Sequence, residues 1–458
     1  MHVPHNAPTP PEAATTLAHV LGRRGFLATS AAATAIGAGS IASPATAAAG
    51  SSRKGSARSG REVVGGAPLQ PHRGTIVGDH YLASATEEVI WGYVPTVHTA
   101  PVSRMRSGRT ITIDALSHEG ILEDQGRDPV AWFGEHGVSR RNVLSDAIDV
   151  AAHYNRHPRN FDADGPHVVT GPVFVEGAER GDVLKIETVD LRTRVPYGVV
   201  SSRHGKGTLA VGANGAAPAG ISLAEVMPPH ASDHRETGDP ATYGNVSVFA
   251  SIKGGRARMA AGSRTLSFAP KLFFGMMGVA RSEARTLTDP SAHSVPPTLG
   301  GGNIDIRHLG IGSTFYLPVT AEGALFYVGD PHHAMGSGEV ALTAMEGSLR
   351  GTFRLTVCKP GSGDAPSVAY RHPFGETADS WIPIGLSDPD GLSNGSSSDL
   401  NIAMRRAVVN ALDHLEFDLG VPRQVAYAYL SAASDFYVSQ FVDRTTGVHG
   451  LISKADFA

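Results

Sequence analysis

Residues Ser313 to Asp330 read STFYLPVTAEGALFYVGD. Two short runs of aromatic and branched residues flank a Thr-Ala-Glu-Gly turn, and this punctuation predicts two strands joined as a hairpin. The same signature recurs in RTITIDAL (from Arg109), GPVFVEGAERGDVLKIETVDL (from Gly171), NVSVFASIKG (from Asn245), TLSFAP (from Thr265) and EVALTAMEGSLRGTFRLTVC (from Glu339). Gly, Pro, Asp or Asn marks many of their boundaries, which points to an antiparallel, sandwich-like architecture and away from alternating β-α units. The pattern changes after Lys359. SSSDLNIAMRRAVVNALDHLEFDLGVP, from Ser396, offers Ser or Asp as a cap and apolar Leu400, Met404, Ala407, Val408, Ala411 and Leu415 at spacings of three and four, with Gly420 and Pro422 as a stop. That spacing predicts a helix, followed by a second from Pro422 to about Ala433. The expected class is α+β, predominantly β: a β-rich body over residues 74–358 and a smaller α/β module over 359–458 packed on it.

The chain has 458 residues, a formal charge of −4 with acids and bases interspersed, 54 Gly, 30 Pro and 21 His. The charge distribution favours neither nucleic acid nor an anionic membrane surface. Cys358 is the single cysteine, so no intramolecular disulfide or redox pair exists. Residues 1–49 read as a twin-arginine signal peptide: Arg23-Arg24 precede a weakly apolar, Ala-rich stretch ending in Ala45-Thr46-Ala47, with cleavage expected near Ala47 or Ala49. That stretch falls short of the roughly 18 to 20 strongly apolar residues a spanning helix needs, so no stable membrane insertion is expected after signal removal. Export would lead to the periplasm, cell wall or medium. Residues 50–73 read as a mobile Gly/Ser-rich linker, with structure starting near Thr75.

Acids and imidazoles gather at the strand ends. The second strand of the opening stretch is expected to end at Val328, after which Gly329-Asp330-Pro331-His332-His333 turns away from the sheet. Asp330 and His332, two apart, would share a side if strand geometry persisted. Gly336 and Gly338 allow a tight return that brings Glu339 back toward Asp330. Together the three offer a half-site for a divalent ion; on spacing alone, a plain turn with solvated histidines is the favoured alternative. Asn303 and Asp305 in GGGNIDIRHL, His118 and Glu119 after RTITIDAL, and His80, eleven residues before Trp91, occupy further rims. Four such rims, with no redox cysteines, favour a hydrolytic metal site over thiol or flavin chemistry.

HYLASATEEVIWGY (from His80), GPVFVEGAERGDVLKIE (from Gly171), FGMMGV (from Phe274), the block Gly301–Val340 and AYAYLSAASDFYVSQFVD (from Ala426) resemble the acetamidase/formamidase family, in order and across roughly Thr75 to Ala458. The resemblance implies a jelly-roll-like antiparallel β-sandwich body with a smaller C-terminal α/β part, assembled as a homo-oligomer, a dimer or higher. It implies hydrolysis of formamide- or acetamide-like short amides to a carboxylate and ammonia. The cofactor implied is a divalent metal, zinc first and calcium as the alternative. On the matching positions, Asp305, Asp330, His332 and His118 are the expected metal ligands and Glu339 and His332 the catalytic groups. His80, Trp91 and Asn303 are the expected substrate contacts. The chain departs from the family at Gly336-Ser337-Gly338-Glu339, where one acid is gone, at His118-Glu119, where relatives carry an Asp, and at Arg281, where a Pro is usual. Two other readings remain: a Ser-based amidase using the tract GLSNGSSSDL, and a non-catalytic exported sandwich that binds a ligand through its rim loops.

Overall fold

A computed structural model describes residues 61–203, 205–212, 216–228, 245–393 and 395–457. The expected signal peptide and residues 50–60 of the expected linker lie outside the described residues. The opening stretch forms two strands, as its pattern requires, but not a hairpin. Thr314–Pro318 pairs with Val183–Thr193 and Phe374–Glu376 in a ten-stranded sheet. Phe326–Ala334 pairs with Phe273–Val279 in a second, eleven-stranded sheet. The turn between them is therefore a corner that carries the chain from one sheet to the other. Gly323, Ala324 and Leu325 all have positive φ, 73°, 58° and 57°, and a side chain at Gly323 would collide with the Phe174 ring. The corner is pinned where Val319 N and Gly323 N donate to Asp182 O and Ala178 O, both at 2.8 Å.

Along the ten-stranded sheet the order is His80–Leu82, Arg109–Ala115, Leu349–Cys358, Val183–Thr193, Thr314–Pro318, Phe374–Glu376, Ser380–Leu386, Gly447–Ser453 and Asp435–Gln440, with Arg61–Val63 beside Val183–Thr193. Most pairs are antiparallel; the exceptions include Arg61–Val63 and His80–Leu82, each parallel to its neighbour. Period-2 alternation turns Ile111, Ile113, Ile186, Phe353 and Leu355 inward to meet Val173, Phe274, Val279, Phe326 and Val328 of the other sheet, all buried in one cluster. Phe353 touches Phe274 and Phe326 across this interface, with ring centroids 5.3 and 5.7 Å apart. The two sheets thus form a predominantly β sandwich.

Two boundaries differ from expectation. The linker does not run free to residue 73. Arg61–Val63 is a strand, Leu69 N donates to Arg194 O at 2.7 Å, and Arg194 Nε donates back to Leu69 O at 3.1 Å. The physical reason is a buried charge cluster: Arg350 forks onto Asp114 at 2.6 and 2.9 Å, and its remaining donors require the carbonyls of Gln70 and Arg73. Residues 359–458 form the smaller α/β part, but no sheet boundary falls at residue 359. Their strands continue the ten-stranded sheet edge to edge, because Phe374–Glu376 offers its hydrogen bonds to Thr314–Pro318. The expected helices are Leu400–Phe417, capped by Asp399, and Arg423–Ala433. Two further helices, Pro129–Glu135 and Ser145–His153, carry Phe133, Ala147 and Val150 into a second core cluster with Trp91 and Tyr197.

Candidate active site

The strand Phe326–Ala334 does not end at Val328. It continues through Asp330, Pro331 and His332, pairing Gly329 with Met276 and Pro331 with Phe274. Pro331 is tolerated because its carbonyl still accepts from Gly347 N at 3.0 Å. In this register Asp330 lies opposite Gly275, and His332 lies opposite Glu346 of the short strand Met345–Glu346. His118 and Glu119 follow Arg109–Ala115, His167 precedes Val168–Glu176, and Asn303 ends Gly301–Asn303 with Asp305 two residues on. The glycine turn carrying Glu339 docks on the C-terminal segment, where Gly338 N donates to Ser439 O at 2.9 Å. Asp443 follows that same segment, so seven separated pieces of chain converge.

The convergence is tight. His332 Nε2 lies 2.9 Å from Asp330 Oδ2, 3.1 Å from Glu346 Oε1 and 3.9 Å from Glu339 Oε1, while its Nδ1 is 3.8 Å from Asp305 Oδ1. The other oxygen, Asp330 Oδ1, faces His167 Nε2 at 3.6 Å and His118 Nδ1 at 3.9 Å. Ligand atoms of His118, His167 and Asp330 lie within 4.8 Å of one another, as do those of Asp305, His332 and Glu339 and of Asp330, His332 and Glu346. Asp305, Asp330 and Glu339 have φ of 50°, 48° and 46°. This left-handed region is uncommon for side-chain-bearing residues and costs on the order of 1 to 3 kcal/mol where it is strained. Three acids of one cluster adopt it together. Gly275 supplies the space they share: a Cβ there would meet Asp330 Oδ2 and His332 Cε1 at 2.6 Å and would collide with Asp305 Oδ1.

The buried charge of the cluster is weighted toward the acids. Glu119, Asp305, Asp330, Glu339, Glu346 and Asp443 are all buried, against His118, His167, His332 and Arg203. Six carboxylates exceed four cations even with every imidazole protonated, and uncompensated buried charge is strongly unfavourable. Burial, with Glu339 and Asp443 close by, pushes the Asp305 carboxyl well above the usual range. Burial, then Asp443 and Asp330, does the same to Glu339. Burial lifts Glu346 and Asp443 to about 7. Against the pull of burial, Asp330 and Glu346 raise the His332 imidazole well above its ordinary value. Burial lowers His167 to about 4, keeping it neutral and a competent ligand. Both oxygens of Asp305, both ring nitrogens of His118 and His332, Asp330 Oδ1, Glu346 Oε2, Asp443 Oδ2 and Asn303 Oδ1 have no hydrogen-bond partner among the described residues. Orphaned atoms of this kind, mixed nitrogen and oxygen, fit a divalent metal, with zinc better matched than calcium by the imidazoles. The two oxygens of Asp330 face different histidine groups, so this carboxylate could serve two cation positions.

A cavity of about 240 Å³ opens above the cluster, with His118, His167, Asn303, Asp330, Glu339, Glu346 and Asp443 on its wall. Of the expected site residues, the structure brings together His118, Asn303, Asp305, Asp330, His332 and Glu339. It does not bring His80 or Trp91 to the cavity. His80 opens a strand parallel to Arg109–Ala115, with Ile111 as its partner. Trp91 is fully buried: its indole N–H donates to Pro166 O at 2.9 Å, and Arg159 and Arg127 lie 4.4 and 5.1 Å over its rings. It supports the wall through Arg159, which lines the cavity. The serine tract is also elsewhere: Ser398 bonds Thr446 at 2.7 Å, Asp399 caps a helix, and neither lines the cavity.

Sequence reasoning missed His167, Glu346 and Asp443. His167 had a signal, since PHVVTGP places an imidazole just before a branched run, the mirror of His118 after one. Glu346, in LTAMEGSL, was an acid inside an apolar stretch with no turn to explain it. Nothing local marks Asp443, which reaches the site only because the C-terminal strands continue the sheet.

Comparison with known proteins places this architecture. The profile of the Acetamidase/Formamidase family matches residues 151–451. A Schizosaccharomyces pombe protein provisionally named a formamidase is 27% identical over 238 residues, which cover 47% of this chain but only 57% of that one. An acetamidase of Mycolicibacterium smegmatis is 26% identical over 305 residues, 60% of this chain and 75% of that one. The crystal structure of an acetamidase from Yersinia enterocolitica superposes with a TM-score of 0.57 at 22% identity, over 85% of this chain and 94% of that one, and shares the fold.

Proposed function

The chain belongs to the acetamidase/formamidase family, and we propose that it hydrolyses short primary amides to a carboxylate and ammonia with the aid of a divalent metal, zinc by preference. One observation carries the reading: buried carboxylates in excess, with the imidazoles of His118 and His332, leave donor atoms unpartnered beneath a cavity, in a space among the side chains that Gly275 leaves free. His118, His167 and Asp330, together with Asp305 and His332, would hold the cation. When bound, it would supply Lewis acidity, a polarised amide carbonyl and a more acidic water.

The chain's own groups do the rest. Asn303, on the cavity wall, orients the amide by hydrogen bonding. Glu339 takes a proton from the attacking water, whose oxygen bonds to the carbonyl carbon, and delivers it to the nitrogen as the C–N bond breaks and ammonia leaves. Glu346, opposite His332 and also on the wall, stands 3.1 Å from that imidazole and balances its charge. The strained backbone at Asp305, Asp330 and Glu339 holds the acids in place before substrate arrives. The chain would reach the cell exterior by the twin-arginine route and work as a homo-oligomer; among the described residues no helix is long and apolar enough to cross a membrane.

The test is ammonia release from formamide, acetamide and larger amides, before and after chelation, with zinc and calcium added back. The proposal expects activity on at least one short amide, lost on chelation and restored by zinc. Full activity after exhaustive chelation would refute the metal dependence, and no ammonia from any amide would refute the hydrolase.

A further inference from the structure

The upper wall of the cavity has a character opposite to its floor. Arg203 is 7% exposed, and its Nε donates to Asp124 at 2.9 Å while Nη1 stands 3.8 Å from Glu119. Its Nη2 is buried with no partner, and the residue lines the cavity. Lys206 and Arg444 line the same cavity, and neither forms an ion pair among the described residues. Lys206 has only the face of Phe161, 5.8 Å from its Nζ. Arg444 is held in the left-handed region at φ 65° beside Asp443. The three cations lie close enough to disfavour one another's charge: crowding by neighbouring atoms, then Arg203 and Arg444, depress Lys206 although its side chain still reaches solvent. Asp124, and less strongly the exposed Asp162, act favourably on Lys206 without forming an ion pair with it.

Arg203 uses Nε on Asp124, but its buried, unpartnered Nη2, set beside a half-buried Arg444 and a solvent-facing Lys206 that have no ion pair, is unfavourable unless a ligand supplies an anion. The floor acids offset part of this charge, Glu119 and Glu346 acting on Arg203 and Asp443 on Arg444, but among the described residues no floor acid comes within ion-pair distance of Lys206 or Arg444, and Arg203 reaches one only at 3.8 Å. Size points the same way. The cavity of about 240 Å³ holds more than an amide of three or four heavy atoms. Guanidinium forks are also well matched to carboxylates.

From this wall we infer that the substrate is an amide carrying a carboxylate at its far end, of the class formed by monoamides of small dicarboxylic acids. The inference rests on the amidase reading above, with the amide at the acidic floor and the carboxylate at Arg203, Lys206 and Arg444. Hydrolysis then adds water across the C–N bond, giving the dicarboxylate and ammonia.

Succinamate and succinamide test this, having the same length and differing in the terminal charge. The full chain should favour succinamate at least tenfold in kcat/KM. In the double variant Lys206→Gln/Arg444→Gln that preference should fall at least tenfold, through KM, and added salt should erode it in the parent. Both residues are outside the hydrophobic core, and a circular dichroism spectrum matching the parent's checks that the variant folds. Equal kcat/KM for the two amides in the parent, or an unchanged preference in the variant, would overturn the inference while leaving the amidase reading intact. Calorimetric binding of succinamate, weakened in the variant but without turnover of any amide, would refute the amidase reading and keep the anion site.

Discussion

Replacing Gly275 by alanine puts one methyl group where three donor groups meet. The added carbon would stand 2.6 Å from Asp330 Oδ2 and from His332 Cε1, and closer still to Asp305 Oδ1. Ordinary contact begins near 3.4 Å, so the first two groups must each retreat by 3.4 − 2.6 = 0.8 Å. None has room to do so freely, because Asp305 and His332 are fully buried and Asp330 is 3% exposed. Overpacking of this kind costs about 1 to 3 kcal/mol, read as a lower midpoint in urea unfolding. The effect on the site should be larger. Metal–ligand distances tolerate only about 0.2 Å, so the same displacement should weaken zinc at least tenfold, in line with the ~10- to 100-fold cost of disturbing groups that orient ligands. Competition against a chromophoric chelator measures the affinity, and ammonia release measures the consequence. Gly134→Ala is the control, since a Cβ there meets nothing within 4 Å. Zinc affinity in Gly275→Ala equal to that of the parent would refute the reasoning that these three side chains share one coordination space.

Glu339→Gln should fold, keep its zinc and lose turnover by about 10²- to 10⁴-fold; turnover at the parent rate would remove Glu339 from the mechanism. Arg350→Met should destabilise the protein by about 3 kcal/mol, the low end for breaking a buried pair, because Arg194 remains 3.5 Å from Asp114; the unfolding midpoint checks this. Acid should also destabilise the fold through His449, which burial, with His308 and Arg307 nearby, lowers from 6.5 to about 3. The unfolded chain takes up that proton near pH 6.5 and the folded protein only near pH 3, so this contribution is intact above pH 6.5 and declines as pH falls through that window. Urea titrations at pH 7 and pH 5 should show the loss, and His449→Gln should reduce it; an identical pH dependence in the variant would contradict the assignment.

Much of the sandwich was legible because period-2 alternation and turn residues are local signals. Thr314–Pro318 and Phe326–Ala334 were both readable as strands, yet their membership of different sheets was not, since a short turn looks alike whether it closes a hairpin or rounds a corner. The strand through Asp330 and His332 was cut short at Val328, because Gly329-Asp330-Pro331 reads as a turn while the register that continues the strand is defined only by Phe273–Val279. Helix Leu400–Phe417 was readable from its cap and spacing, whereas Pro129–Glu135 was too short to show a period. Of the site, the residues within Asn303–Glu339 and His118 were visible as rim acids and imidazoles. His80 and Trp91 were expected at the substrate from the resemblance alone, and a matching motif does not say whether a side chain faces a cavity or, as with Trp91, packs behind its wall. Asp443 was hidden because its position depends on a sheet edge more than a hundred residues away in the chain.

Anomalous scattering at the zinc absorption edge, from crystals of the zinc-loaded protein, tests the central claim most directly. The account predicts a peak within about 2.0 to 2.2 Å of a carboxylate oxygen of Asp330 and of the ring nitrogens of His118 and His167. Strong zinc peaks elsewhere, with none inside this cluster at saturating metal, would contradict it.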